Sequence, residues 1–281
     1  MAGEIPDAFS VMKNPQLDPI RPFSGDDAQL AWDQAAELWD DFITSGKDYY
    51  RTEFHGPALL DACGPLDGLR VLDLGCGTGY FSRLLAGGGA KVVGIDMSGE
   101  MVGLANRYEE DSPLGIEYRI LDAAKVDGGW PESSFDRVVG CVSMQDMANI
   151  PAVVRAVHRV LANQGQFVFS IPHPATVTPF REWDKDADGN RGALKVDYYF
   201  ESGPRVLRWD MKRLERHWQT PFWSLTIEEW SEILEQSGFL IRRLREPRPT
   251  AETVQRIPAL EDCLRLPSFL IFDAVKAPAQ A

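Results

Sequence analysis

The sequence predicts an α/β protein built on a mostly parallel sheet with helices on both faces. Three observations predict it. Short apolar runs suited to buried strands alternate with stretches whose apolar residues recur at helical spacing. Arg70–Asp96 is a complete strand, glycine turn, helix and strand in one stretch. Two successive strand candidates end in acids, Asp96 and Asp122, which places both carboxylates along one sheet edge.

The Arg70–Asp96 unit organises the chain. Val71-Leu72-Asp73-Leu74 reads as a buried strand and Gly75-Cys76-Gly77-Thr78-Gly79 as a turn. Phe81, Leu84 and Leu85 follow at helical spacing, Gly87-Gly88-Gly89 ends the helix, and Lys91–Ile95 is a second strand closed by Asp96. Physically this is a nucleoside pocket. Glycines admit close approach of the ligand, a helix N-terminus offers unpaired N–H groups, and a distal carboxylate accepts bonds from both ribose hydroxyls. A dinucleotide fingerprint would need a third glycine where Tyr80 stands. Asp73, two residues before Gly75, would repel a pyrophosphate but welcome a cationic amino-acid end.

Asp73-Leu74-Gly75-Cys76-Gly77-Thr78-Gly79 with Asp96 resembles the first motif of class I S-adenosylmethionine (SAM)-dependent methyltransferases, of the small-molecule type. The resemblance implies a Rossmann-like seven-stranded mixed sheet whose last strand runs antiparallel, and SAM as cofactor. It implies cofactor contacts from Asp73, Gly75, Cys76, Gly77, Gly79, Asp96 and the adjoining Met97. It is nearly silent on the acceptor.

Composition bounds the partners. The 281 residues are 44% apolar and 25% charged, with net charge −13, which disfavours nucleic-acid and anionic-membrane partners. A local basic patch at Arg205–Arg216 is the one counter-signal. No apolar run approaches the roughly 18 residues of a membrane span, and Met1–Ser10 lacks the pattern of a signal peptide. Cys63, Cys76, Cys141 and Cys263 show no C-x-x-C spacing, so no metal site or disulfide framework is indicated, and a cytoplasmic location is expected. A small neutral or cationic acceptor fits this balance; a homodimer is compatible with it.

Four segments are expected: an N-terminal arm and lid helices (1–66), a SAM-binding core (67–174), an inserted cap for the acceptor (175–222) and the C-terminal part of the core (223–281). Asp26–Ile43 places Leu30, Ala35, Leu38, Trp39 and Phe42 mostly on one helical face, and Ser45-Gly46 is a hinge-like break. The resemblance implies that an Arg or Tyr before the first strand meets the cofactor carboxylate. Tyr49 and Arg51 are the candidates, with Tyr50 assigned to the acceptor. A helix through Pro57–Cys63 follows.

Ser98 is expected to cap a helix burying Met101, Val102, Ala105 and Tyr108. Gly115–Leu121 is the third strand. The resemblance implies that Asp122, with Ala123, meets the adenine. Ser134–Val142 is the fourth strand, with Cys141 lining the methionine end through its backbone and Gln145, on Ser143–Met147, facing the acceptor. Pro151 opens a helix carrying Val153, Val154, Val157, Val160 and Leu161, with His158 on its wet face.

Gln166–Ile171 is the fifth strand, and His173 follows it between two prolines. A histidine there is a natural acceptor for a substrate proton, and His217 is the reserve candidate. Lys195–Glu201 and Arg205–Glu215 read as a β-hairpin about Ser202-Gly203-Pro204, amid aromatics of which Trp183 and Tyr199 are assigned to the acceptor. Thr226–Glu229 is a capping box, and Phe239–Leu244 and Ser268–Val275 are the last strands. The expected reaction is in-line methyl transfer to an O, N or C atom of a small molecule. Transfer to RNA or protein, and a SAM-fold protein without methyl transfer, remain as rival readings.

Overall fold

The computed structural model describes residues 17–278 except 47, 190 and 212–215; the side chains of 210, 211, 216 and 217 also lie outside the described residues. Helix α1 (Gly25–Thr44) opens with a reciprocal cap. The Ser24 hydroxyl accepts the Asp27 N–H, while the Asp27 carboxylate accepts the Ser24 N–H at 2.8 Å. A π-turn, Arg51–His55, runs directly into α2 (Gly56–Ala62), so the second helix begins earlier than the Pro57 signal suggests.

The core then alternates: β1 (Arg70–Leu74), α3 (Tyr80–Gly87), β2 (Lys91–Asp96), α4 (Gly99–Asp111), β3 (Glu117–Ile120), α5 (Val126–Gly129), β4 (Phe135–Cys141), α6 (Ile150–Val160) and β5 (Leu161–Pro172). Ser98 caps α4 by accepting the Met101 N–H at 3.1 Å. Strand β5 starts directly after α6, several residues before the expected Gln166. Leu161 already pairs with Phe135, and the Asn163-Gln164-Gly165 stretch is absorbed as a register irregularity within the strand.

After β5 come β6 (Phe180–Lys185), β7 (Arg191–Asp197), β8 (Gly203–Met211) and β9 (Arg216–Ser224), then α7 (Ile227–Gln236), β10 (Phe239–Arg245), α8 (Ala251–Arg256), α9 (Asp262–Arg265) and β11 (Phe269–Lys276). Seven strands form one sheet in the order β10-β11-β5-β4-β1-β2-β3. Strands β3, β2, β1, β4 and β5 run parallel, and β11 is antiparallel to both its neighbours. The chain leaves β1 toward β2 and β3, then returns to build β4 and β5 on the other side. Ligands in such sheets bind at that reversal, beyond the C-terminal ends of β1 and β4.

Each face has its own core, as a strand period of two requires. Phe167 and Phe169 point toward α6 and α7, where Phe169 stacks on Phe272 at 4.9 Å and packs against the buried Trp230. Val168 points the other way, into a cluster with Leu59, Val71, Phe81 and Leu85. His158 is not on the wet face: it is half-buried, edge-on to Phe239 at 5.2 Å and against Gly238.

The inserted region differs from expectation. It holds two separate hairpins, β6–β7 and β8–β9, and Ser202-Gly203-Pro204 starts a strand instead of turning one. The first turn lies at Asp186–Gly189, where the Asp186 carboxylate accepts the Asp188 N–H and Gly189 adopts φ +84°. The N-terminal arm runs along β8, with the Asp18 N–H bonded to the Val206 carbonyl at 2.9 Å. Arg205 is fully buried there on the Asp18 and Glu201 carbonyls, and Arg208 pairs with Asp18. Arg205 is thus an internal tie and not part of a basic surface, while Arg208 stays half-exposed but paired with Asp18 of the arm. Among the described residues no helix is long and apolar enough to cross a membrane.

One glycine tests the packing that carries the site. Gly79, at φ +83° ahead of α3, lies so close to the Tyr118 ring that a Cβ would overlap its hydroxyl. Gly79→Ala should cost about 2–4 kcal/mol in urea unfolding, from left-handed strain plus overpacking. Gly87, at the end of the same helix with nothing within 4 Å, should tolerate Ala or gain up to about 1 kcal/mol.

Candidate functional site

A cavity of about 440 Å³ opens at the C-terminal ends of β1, β2 and β4. The turn after β1 forms its floor. Gly75 is at φ +64°, and a Cβ there would lie 2.6 Å from the Ser143 Cβ, so only glycine lets this turn meet the end of β4. Ser143 Oγ ties the two strands by donating to the Leu74 carbonyl at 2.6 Å.

Asp96 holds the turn from the other side. One carboxylate oxygen accepts the Gly77 N–H and the other the Ser98 N–H, both at 2.9 Å. Burial pushes its pKa up, opposed by those two amide bonds. Asp73 is fully buried beneath the turn; its Oδ2 accepts the Ser82 hydroxyl at 2.6 Å, while Oδ1 is buried without a partner. Burial raises its pKa to about 7, partly offset by the Ser82 bond. A buried carboxylate oxygen with nothing to accept is stable only when a donor, best a cationic one, arrives with a ligand.

Arg51 supplies that pairing's opposite. Its guanidinium lies over Trp39 at 5.0 Å and Tyr80 at 5.5 Å, and Asp48 holds it at 3.2 Å. Asp122 caps the short turn Ala123–Lys125 by accepting the Ala124 N–H at 3.0 Å, and both Asp122 and Ala123 line the far end of the cavity. Met97, Cys76 and Cys141 line it as well. Burial pushes the Cys141 thiol to about 12, which leaves it inert as a nucleophile.

The structure thus brings together Arg51, Asp73, Gly75, Cys76, Gly77, Asp96, Met97, Asp122, Ala123 and Cys141. Gly79 stands one step behind, as the residue from which α3 starts. The other expected residues are elsewhere. Tyr49 packs on the Phe54, Leu260 and Cys263 cluster, and Tyr50 on Phe54 and Phe269, because the π-turn sends Arg51 alone inward. Trp183 lies under Arg191 at 5.2 Å, and the Tyr199 hydroxyl accepts the Ile227 N–H at the start of α7; both serve the cap's own structure.

His173 corrects the expectation of a catalytic base. It is 3% exposed and outside the cavity lining. Its Nδ1 accepts the Ala175 N–H, which places its proton on Nε2, directed at Glu246 Oε1 at 3.0 Å. Burial lowers its pKa, against the pull of Glu246. The side chain of the reserve candidate, His217, lies outside the described residues. Gln145 points away from the cavity: its Nε2 donates to the Val142 carbonyl at 2.8 Å and to Asp146 Oδ2 at 3.1 Å, and it borders a separate small cavity with Trp223 and Trp230.

Sequence reasoning missed the wall opposite. Trp32, Trp39 and Ile43 of α1 line the cavity, as do Asp146, Met147 and Asn149 after β4. Trp39 was visible only as part of an apolar face, and Asp146 lies one residue beyond the position favoured for the acceptor.

The donor set fits SAM: an unpaired buried carboxylate and an arginine for an amino-acid end, with acids at two successive strand tips for a nucleoside. Residues 72–169 match the methyltransferase domain family. The crystal structure of a SAM-dependent methyltransferase from Mesorhizobium loti is similar, with TM-score 0.65, 32% identity, and coverage of 78% of this chain and 95% of that one. An uncharacterized protein of Haemophilus influenzae is 30% identical over 171 residues, covering 58% of this chain and 66% of that protein. A ubiquinone biosynthesis O-methyltransferase of Burkholderia orbicola is 36% identical over 110 residues, covering 39% of this chain and 47% of that enzyme. The chain therefore spans about half to two thirds of the length of these curated relatives. Fold, site and likeness agree: the chain belongs to the class I SAM-dependent methyltransferases.

Proposed function

We propose that the protein methylates a small molecule held in the outer part of the cavity that also holds SAM. The carrying observation is the cavity's second wall. Trp32, Trp39 and Ile43 of α1, with Met147, line the same cavity as the cofactor residues and give it an apolar, aromatic side. A cavity with such a side suits a ligand that enters whole better than a loop of RNA or a protein tail.

When bound, SAM supplies a sulfonium methyl that a lone pair displaces in line. The chain's own part is to bind, orient and exclude water. Asp73 Oδ1 would take the cofactor's ammonium and Arg51 its carboxylate. Asp96, already oriented by the Gly77 and Ser98 amides, would take the ribose hydroxyls, and Asp122 with Ala123 would meet the adenine. Trp39, under the Arg51 guanidinium, would help shield the amino-acid end from water.

Three measurements test this. Incubated with methyl-labelled SAM and a cell extract separated into metabolites and macromolecules, the protein should label the metabolites; label in RNA or protein alone overturns the reading. In calorimetric titration with S-adenosylhomocysteine, Asp96→Ala should lose about 2–3 kcal/mol, roughly 30- to 150-fold in affinity, and Asp122→Ala about tenfold or less. The third is a pH dependence. The free protein keeps Asp73 protonated up to about pH 7, whereas the cationic ligand requires its carboxylate. Binding at pH 6 should therefore release a proton, and affinity should rise from pH 5 to 7 by up to about tenfold per unit. Titration in buffers of different ionisation enthalpy reads that proton, and Asp73→Asn should abolish its release.

A further inference from the structure

One acid of the cavity is left without a task once the cofactor is assigned. Asp73, Asp96 and Asp122 have cofactor roles, Arg51 is taken by the carboxylate, and Lys125 faces Asp122 at 3.6 Å. Asp146 remains. It lines the cavity at the tip of β4, on the turn that also brings Met147 to the lining, and Trp32 and Trp39 of α1 line the same cavity. Among the described residues the one hydrogen bond to its carboxylate comes from Gln145 Nε2, a neutral donor, and no cation is paired with it. A carboxylate that gives up water without gaining a cation is costly. Burial, with Asp96 adding repulsion, pushes its pKa well up.

Its placement is built, not incidental. The two amide protons of Gln145 are both used, one on Asp146 and one on the Val142 carbonyl. Val142 is held at φ +53°, a left-handed conformation that a β-branched residue adopts only under constraint. Ser170 Oγ fixes it by accepting its N–H at 3.1 Å. Gln145 is thus a positioning residue that sets the carboxylate against the cavity.

We propose that Asp146 is the acceptor-binding carboxylate and that the acceptor is an amine, received as its ammonium beside the aromatic wall. This rests on the small-molecule reading above. The ammonium meets Asp146 in a desolvated site, where passing one N–H proton to the carboxylate turns two buried charges into a neutral pair. The nitrogen lone pair so freed forms the N–C bond to the methyl carbon as the C–S bond breaks. The bonding electrons stay on sulfur, and the positive charge passes from sulfonium to the methylated nitrogen. The proton remains on Asp146 until the product leaves.

The probes are 2-phenylethylamine, 2-phenylethanol and phenylacetate, of like size and positive, neutral and negative charge. Each is titrated into wild-type protein and Asp146→Asn, both saturated with S-adenosylhomocysteine. Wild type should bind the amine at least tenfold more tightly than the alcohol and should not measurably bind the acid. Asp146→Asn, nearly identical in shape, should lose the preference. Equal binding of amine and alcohol, preference for the acid, no binding of the amine, or an amine preference that survives in the variant overturns the proposal. The wild-type ranking stands as a test even if the variant folds poorly. Failure to bind S-adenosylhomocysteine at all would instead remove the cofactor reading.

Discussion

The site depends on a turn that carries no side chain where two strands meet. Gly75 lets the end of β1 press against Ser143 at the end of β4, and the Ser143 hydroxyl bonded to the Leu74 carbonyl locks the approach. The amides of the following residues are then aimed by neighbours: Cys76 N–H meets the Ile95 carbonyl and Gly77 N–H the Asp96 carboxylate, both at 2.9 Å. A side chain at Gly75 would push β1 from β4 and move Asp73, Asp96 and Asp146 relative to one another. These three acids come from three different strand ends, so their convergence is a property of the turn.

Much of this was legible in the sequence because it is local. The glycine register, Asp73 and Asp96 lie within one strand–turn–helix–strand unit, and sheet handedness leaves that unit one way to fold. Arg51 could be named from its place before the first strand. Its two tyrosine neighbours could not be told from it, because the π-turn at Arg51–His55 sets which of three adjacent side chains points inward, and no spacing rule announces a π-turn.

The rest was hidden for two physical reasons. The first is that aromatic residues look alike whether they line a pocket or fill a core. Trp183 and Tyr199 support the cap, while Trp32 and Trp39 line the cavity, and only the docking of α1 onto the sheet edge separates them. The second is that a histidine's worth depends on its partners. The prolines beside His173 signalled a fixed backbone, correctly; what that backbone presents the ring to is Glu246, from the loop after β10, distant in sequence. The cap's turn was read at Ser202-Gly203-Pro204, whereas the described one lies at Asp186–Gly189.

The strain at Val142 connects these levels. A β-branched residue at φ +53° persists only where its surroundings hold both of its peptide groups. Here Ser170 Oγ accepts the N–H and Gln145 donates to the carbonyl. Ser170 is itself bonded to His55 Nε2 at 2.9 Å, and burial, with Arg51 adding repulsion, holds His55 to a pKa of about 3. A ring kept neutral retains a nitrogen that can accept, so the Ser170 proton has a destination and its lone pair stays available to Val142. His55 stacks on Phe269 of β11 at 4.3 Å, and Ser170 lies on β5, which β11 flanks. The antiparallel strand that marks the fold therefore reaches, through His55, Ser170, Val142 and Gln145, to the carboxylate of Asp146. The same chain of contacts explains why Asp146 faces the cavity and Gln145, its neighbour, does not: on this turn Gln145 holds the Val142 carbonyl while Asp146 lines the cavity.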